Sequence, residues 1–119
     1  MKKKLAPGVW PTMITLFKED DTLDFAANAA FTKHLIDRGA NGLFAVCQSS
    51  EMFWLSLQER IDLAKCVVEA AEGRVPVIAS GHISDDINAQ IEELGRMAET
   101  GLDALVMVTN RLANYKQYK

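Results

Sequence analysis

Residues 42–60 read GLFAVCQSSEMFWLSLQER, and this stretch holds one complete strand-to-helix step. Gly42 to Cys47 is a short apolar run without polar alternation, the pattern of a strand buried on both faces. The polar turn Gln48-Ser49-Ser50-Glu51 follows. Ser56 and Glu59 stand in the S-x-x-E spacing of a capping box, in which each side chain satisfies the other residue's backbone N–H at a helix start. Beyond it Leu57, Ile61, Ala64, Val68 and Ala71 recur at helical spacing, and Gly73 ends the helix.

The same step repeats on both sides. Toward the N-terminus, Gly8 to Phe17 (GVWPTMITLF) reads as a buried strand, with Pro11 better suited to its start or edge than to its centre. Asp24 caps a helix from about Phe25 to Arg38, with Phe31, Leu35 and the alanines as its apolar stripe and Gly39 as its stop. Toward the C-terminus, Arg74 to Ala79 (RVPVIA) is a third strand and Ser80 to Ile83 a loop. Ser84 is expected to cap a third helix, with Asp85 and Asp86 favoured by its positive N-terminal dipole. Ile87, Ile91, Leu94 and Ala98 form the stripe expected to be buried, and Gly101 closes the helix. Ala104 to Val108 is the fourth strand. Gly39-Ala-Asn-Gly-Leu-Phe-Ala-Val and Gly101-Leu-Asp-Ala-Leu-Val-Met-Val echo each other, each running from a helix-ending glycine into an apolar strand. Units of about 30 residues are the size of one βα repeat.

Continuously apolar strands joined by amphipathic helices give an α/β fold with a parallel sheet. A (β/α)8 barrel takes about 250 residues. The 119 residues therefore read as a partial (β/α)8 barrel, about its first four βα units. On this reading residues 1–119 are the N-terminal half of a barrel domain, and residues 109–119 a polar tail or truncated loop.

Composition narrows the partners. Thirteen basic residues against 16 acidic ones leave a net charge of −3. That provides no basic field for a phosphate backbone, so nucleic acid is not an expected partner. Cys47 and Cys66 are too few for a disulfide framework and fit a reducing, cytoplasmic setting. The basic start Met1-Lys2-Lys3-Lys4 is followed by an apolar run broken by Pro7 and Pro11, without a cleavage site, so no signal peptide is expected. No run of about 18 apolar residues occurs, so no membrane span is expected.

Parallel α/β architectures place chemistry at the C-terminal ends of their strands. Here those loops are Lys18–Leu23, Cys47–Trp54, Ser80–Ser84 and Thr109 onward. The second joins a buried strand to a capped helix and offers hydroxyls, an amide and successive backbone N–H groups, which together suit a carboxylate or phosphate. Capping of the turn is the other use of Ser49, Ser50 and Glu51.

Cys47-Gln-Ser-Ser-Glu-Met-Phe-Trp-Leu-Ser-Leu-Gln-Glu-Arg60 resembles the segment after the second strand of the dihydrodipicolinate synthase / N-acetylneuraminate lyase family. There the pattern is Gly-Thr/Ser-Thr-Gly-Glu, three residues, Leu-Ser, two residues, Glu-Arg. Glu51, Leu55, Ser56, Glu59 and Arg60 fit it in register. Gly8-Val-Trp-Pro11 with Thr15 and Phe17 resembles the family's opening strand, Arg74–Ala79 its third and Asp103–Thr109 its fourth.

The resemblance implies a (β/α)8 barrel, usually a homotetramer, working as a class I aldolase-type lyase or synthase. A lysine on a later strand, expected beyond residue 119 together with its partner tyrosine, forms a Schiff base with pyruvate or another 2-oxo acid. The iminium then acts as an electron sink for making or breaking a carbon–carbon bond. No catalytic residue is assigned within the chain, and no metal or organic cofactor is implied. The hydroxyl-rich loop binds the 2-oxo acid carboxylate, which assigns that role to Ser49, to the Gln48 and Ser49 amides and to the adjacent Ser50. Thr12 and Thr109 fall at positions resembling pocket positions of the family. Gln48 stands where a proton-relay hydroxyl is expected, and Cys47 and Ser50 replace two glycines. Thr109-Asn110-Arg111-Leu112 keeps only the threonine of the family's Thr-Pro-Tyr-Tyr.

Other residues draw plainer expectations. His82, without a metal-spaced partner, reads as a surface or packing residue. Cys47 and Cys66 read as small buried thiols. Phe53 and Trp54 read as packing residues, and Arg60 and Glu59 as groups that fix a helix end. Tyr115, Lys116, Tyr118 and Lys119 belong to a polar tail, where an exposed lysine stays protonated and a poor nucleophile. The alternative to an enzyme is a catalytically inactive fragment or association module, and a third reading, a receiver-like signalling domain, is suggested by Asp20-Asp21.

Overall fold

The computed structural model describes residues 4–112. Element order is α1 (Phe25–Asp37), β1 (Leu43–Phe44), α2 (Leu57–Ala71), β2 (Val77–Ala79), α3 (Ile87–Ala98), β3 (Ala104–Leu105) and α4 (Thr109–Leu112). The strands form one parallel sheet in the order β1-β2-β3. Phe44 lies opposite Ile78, and Ile78 opposite Ala104. Helices between successive parallel strands make this the opening part of a (β/α)8 barrel, as expected.

The segment 8–17 joins the sheet more sparingly than expected. It contributes one isolated parallel bridge, Thr12 to Phe44. Two bonds hold it there: Met13 N–H donates to Phe44 O at 2.9 Å, and Phe44 N–H donates to Pro11 O at 3.0 Å. Pro11 has no N–H to return, and the pairing stops at this single bridge. The segment is nevertheless seated closely. Trp10 lies over Gly42, where a Cβ would come within 2.3 Å of the indole ring.

Sheet register separates two faces. Leu43, Ala45, Val77 and Ala79 are buried beneath the helices, together with Met13 from the opening segment. The row Thr12–Phe44–Ile78–Ala104 occupies the opposite face and is nowhere fully buried. One sheet face carries the core and the other stays open.

Helix α2 follows its sequence signature. The Ser56–Glu59 capping box is present in both directions. Ile61, Leu63, Ala64, Val67, Ala70 and Ala71 are buried, joined by Arg60, while Leu57 and Val68 of the expected stripe pack from the margin. Helix α1 starts at Asp24, whose carboxylate accepts from Ala27 N–H at 2.9 Å. Its innermost line is Asn28, Thr32 and Ile36, while the expected Phe31 and Leu35 pack against the core from its margin. Asn28 takes the inner place because its amide pairs with both backbone groups of Leu16.

Helix α3 departs from expectation in two ways. Its N-cap is Asp86, which accepts from Ala89 N–H at 2.9 Å, in place of Ser84. The buried face is Gln90, Glu93 and Met97. Ile87 and Ile91 are exposed, Leu94 half-buried and Ala98 exposed. Two buried polar groups beneath the helix, Arg60 and His82, draw its polar residues inward. Residues 109–112, expected as tail, form the single helical turn α4, and 113–119 lie outside the described residues. Among the described residues no helix is long and apolar enough to cross a membrane.

Candidate functional site

After β1 the chain turns through a short 3-10 helix, Gln48–Ser50. Ser50 N–H donates to Cys47 O and Glu51 N–H to Gln48 O, which leaves the Gln48 and Ser49 N–H groups at the open start of the turn. Glu51 ends it in the left-handed region, with φ of 60°. The turn faces a cleft of about 350 Å³ at the C-terminal ends of the strands, a size that suits a small organic ligand. Thr12, Gln48, Ser49 and Thr109 all line this cleft. Phe44, Cys47, Ser80 and the run Val106–Val108 complete its wall.

Ser50 sits elsewhere. It is fully buried beneath the turn, with its Oγ 2.6 Å from Met13 O and 2.8 Å from Ala45 O, and it accepts Cys47 N–H. Thr15 Oγ1 donates to Ser50 O at 2.6 Å. The hydroxyl thus ties the opening segment to the turn, and its place is structural, outside the cleft lining.

A buried polar cluster under α3 shapes the far wall. His82 is fully buried; its Nδ1 lies 2.7 Å from Gln90 Oε1, and its Nε2 accepts Val108 N–H at 2.9 Å. Those partners fix the tautomer: an acceptor opposite Nδ1 and a donor opposite Nε2 require the proton on Nδ1. Gln90 passes the link on, donating to Arg111 O at 2.7 Å. The cleft segment 106–109 is therefore held from behind by His82, the packing role expected of it.

Arg60 and Glu93 form a second, buried pair. Arg60 also donates to Gly81 O, and Glu93 accepts from the N–H groups of Ile83 and Ser84 at 3.1 Å. Gly81 has φ of 91°, a backbone that favours glycine. Burial opposes ionisation of Glu93, but hydrogen bonds from Ser84, Arg60 and the Ile83 and Ser84 backbone outweigh it, so the carboxyl sits below its ordinary value. Arg60 thus does more than finish its helix: it anchors the loop after β2.

Arg111 stacks over Phe53 at 5.4 Å and reaches Ile83 O and Asp85. Trp54, expected to pack, is 85% exposed and stands outside the cleft. The Cys66 thiol is pushed up by burial and by Glu69, and its Sγ donates to Phe25 O. Cys47 is buried, with Sγ 3.3 Å from Ser50 Oγ.

The family model described as the dihydrodipicolinate synthetase family matches residues 5–117. The chain belongs to this family. The 4-hydroxy-tetrahydrodipicolinate synthase of Oceanobacillus iheyensis is 37% identical over 100 residues, covering 84% of this chain and 34% of the relative. Among solved structures, dihydrodipicolinate synthase DapA-2 of Bacillus anthracis superposes with a TM-score of 0.75 at 31% identity, over 82% of this chain and 34% of that one. YagE of E. coli, a prophage protein of the dihydrodipicolinic acid synthase family in complex with pyruvate, gives a TM-score of 0.77 at 28% identity, over 86% and 34%. The chain spans about a third of the length of the relatives it matches.

Cys47 and Ser50 meet each other inside the turn. The sequence placed Ser80 in a loop at the functional end of the strands without singling it out as a cleft residue. Its only signal was position: it directly follows the third apolar run, where a parallel strand delivers its C-terminal residue to the site.

Proposed function

We propose that this chain supplies the carboxylate-binding part of a lyase or synthase that makes or breaks carbon–carbon bonds on pyruvate or another 2-oxo acid. The observation that carries the reading is the cleft lined by Thr12, Gln48, Ser49 and Thr109, with the Gln48 and Ser49 N–H groups unused at the start of the turn. Backbone N–H groups at the start of a turn suit a carboxylate, which only accepts hydrogen bonds. Family membership and the pyruvate complex of YagE support the choice of ligand.

In this reading the turn and the Ser49 hydroxyl hold the carboxylate and present the 2-oxo carbon to an amine. The amine is a lysine beyond residue 119. Its nitrogen adds to the carbonyl carbon, water leaves, and the resulting iminium accepts the electron pair of the carbon–carbon bond. Gln48 orients through its amide, where a hydroxyl would relay protons. The working protein is a homo-oligomer in a reducing cytoplasm, in keeping with two free cysteines, and residues 1–119 are the N-terminal half of its barrel domain.

The test is the intact mass of the protein purified from its native source after treatment with pyruvate and borohydride. One reduced pyruvate adduct on a lysine is expected. A protein that acquires no adduct with pyruvate or related 2-oxo acids overturns the Schiff-base reading.

A further inference from the structure

We propose that His82 is a positioning residue of the cleft: its ring, protonated on Nδ1 alone, holds Val108 and Thr109 in place for the 2-oxo acid, and a second proton on the ring releases them. The inference rests on the proposed function and adds an acid-sensitive element to it.

His82 is fully buried in the loop after β2 and takes no part in the Schiff-base chemistry. Its ring is constrained from both sides. Val108 N–H can only donate, so Nε2, 2.9 Å away, is the unprotonated nitrogen. Arg111 O can only accept, so the Gln90 amide turns its NH2 group there, at 2.7 Å. That leaves Gln90 Oε1 facing Nδ1 at 2.7 Å, where the ring proton is needed. The bonds leave the main chain at Val108 and return to it at Arg111. One ring and one amide thus grip both ends of the turn that opens α4.

Within that turn the N–H groups of Arg111 and Leu112 donate to Val108 O, at 2.9 and 3.2 Å. A displacement of Val108 therefore carries the start of α4 with it. Val108 and Thr109 both line the cleft that also holds Gln48 and Ser49. Fixing Val108 fixes the wall that the ligand meets.

A second proton has one place to go, Nε2. There it sets an N–H against the Val108 N–H at a buried site, and the attraction becomes a repulsion. Relief comes from a shift of Val108, and Thr109 moves with it. Surrounding charge does not compensate. Both ring partners are uncharged, and the ionisable side chains of the elements packed round the ring are committed elsewhere. Arg60 of α2 pairs with Glu93 of α3, Arg111 of α4 pairs with Asp85 of the loop, and Asp86 caps its own helix.

The experiment is a pyruvate titration of the 15N-labelled 119-residue chain, followed at the Gln48 and Ser49 amides from about pH 8 to about pH 5, the range in which histidine ordinarily changes charge. Pyruvate stays a carboxylate throughout. Ring 15N spectra read the tautomer and protonation of His82, and the one other histidine, His34, lies exposed on α1. At the alkaline end the neutral ring is expected to carry its proton on Nδ1. On acidification, protonation of the ring, a shift of the Val108 and Thr109 amides and the loss of pyruvate affinity are expected to share one midpoint. Below it affinity falls about tenfold per pH unit, since only the neutral-ring fraction binds. His82→Gln, which offers an amide acceptor that does not titrate, is expected to bind pyruvate with little pH dependence, whereas His34→Gln keeps the acid loss. A neutral ring protonated on Nε2, an affinity that stays constant as the ring titrates, unfolding of the whole chain over the same range, or an acid loss that persists in His82→Gln overturns the role of His82 and leaves the 2-oxo acid reading standing. The ring, amide and affinity midpoints are read on the unsubstituted chain, so they decide the matter even where a variant does not fold. Absence of any saturable pyruvate response at the alkaline end overturns the 2-oxo acid reading and the role of His82 with it.

Discussion

Glu93 sits on the buried face of a helix and would be costly there without Arg60. The two are 33 residues apart in sequence, and both are almost fully buried. Because its folded-state carboxyl lies below the ordinary 4.5, the native protein binds fewer protons than the unfolded chain through the acid range. The stability it contributes is present above that value and is lost as pH falls through the lowered folded-state value. Glu93→Gln should therefore lower stability at neutral pH by about 3 kcal/mol, the usual cost of stranding one partner of a buried pair. It should also flatten the decline of stability in acid. Urea unfolding at a series of pH values measures both, and an unchanged acid slope would show that Glu93 is not the group responsible. At this scale the sequence is least legible. Arg60 and Glu59 both look like helix-end residues, and nothing in the spacing shows that one of them reaches across to α3. Ser80 was obscured in the same way, since its place in the cleft wall depends on what surrounds it.

Helices α1, α2 and α3 differ in how well pattern forecast packing. Helix α2 keeps Ile61, Ala64 and Ala71 of its forecast stripe inside, but its buried face also carries Arg60, which pairs with Glu93, and Leu57 and Val68 stay at the margin of the core. On α1 and α3 a polar residue had a specific partner waiting, Leu16 backbone for Asn28 and His82 for Gln90. Those bonds outweighed the apolar stripe, and Ile87 and Ile91 turned outward. The cap of α3 moved for a related reason: Glu93 engages Ser84, the residue expected to cap, and Asp86 takes over at the helix start. Asp86→Ala should thus destabilise by about 1 kcal/mol, the value of an N-cap, whereas Asp86→Asn should cost much less. Thermal unfolding of the two variants distinguishes them, and equal stability of both with the unsubstituted chain would remove Asp86 from that role.

The parallel order of the whole molecule was legible because the glycine-to-strand echo from Gly39 to Gly101 spans two βα units of about 30 residues each, and each unit builds its own strand and helix locally. What the echo does not encode is closure. The sheet ends on the opening segment at one side and on β3 at the other, each with an outer edge that pairs with no described strand. Unpaired parallel edges and an open apolar face invite further pairing. Val9, Ile14, Ile91 and Met107 are each more than half exposed. In isolation the 119-residue chain should therefore self-associate, with a weight-average mass that rises with concentration in sedimentation velocity. The double substitution Ile87→Glu and Ile91→Glu should reduce association while leaving the unfolding midpoint nearly unchanged, because both side chains are already solvent-facing and add little to the core. If the unsubstituted chain sediments as a monomer at every concentration, these edges are adequately protected as they stand. If association survives the substitution, the contact runs through the strand edges rather than through α3.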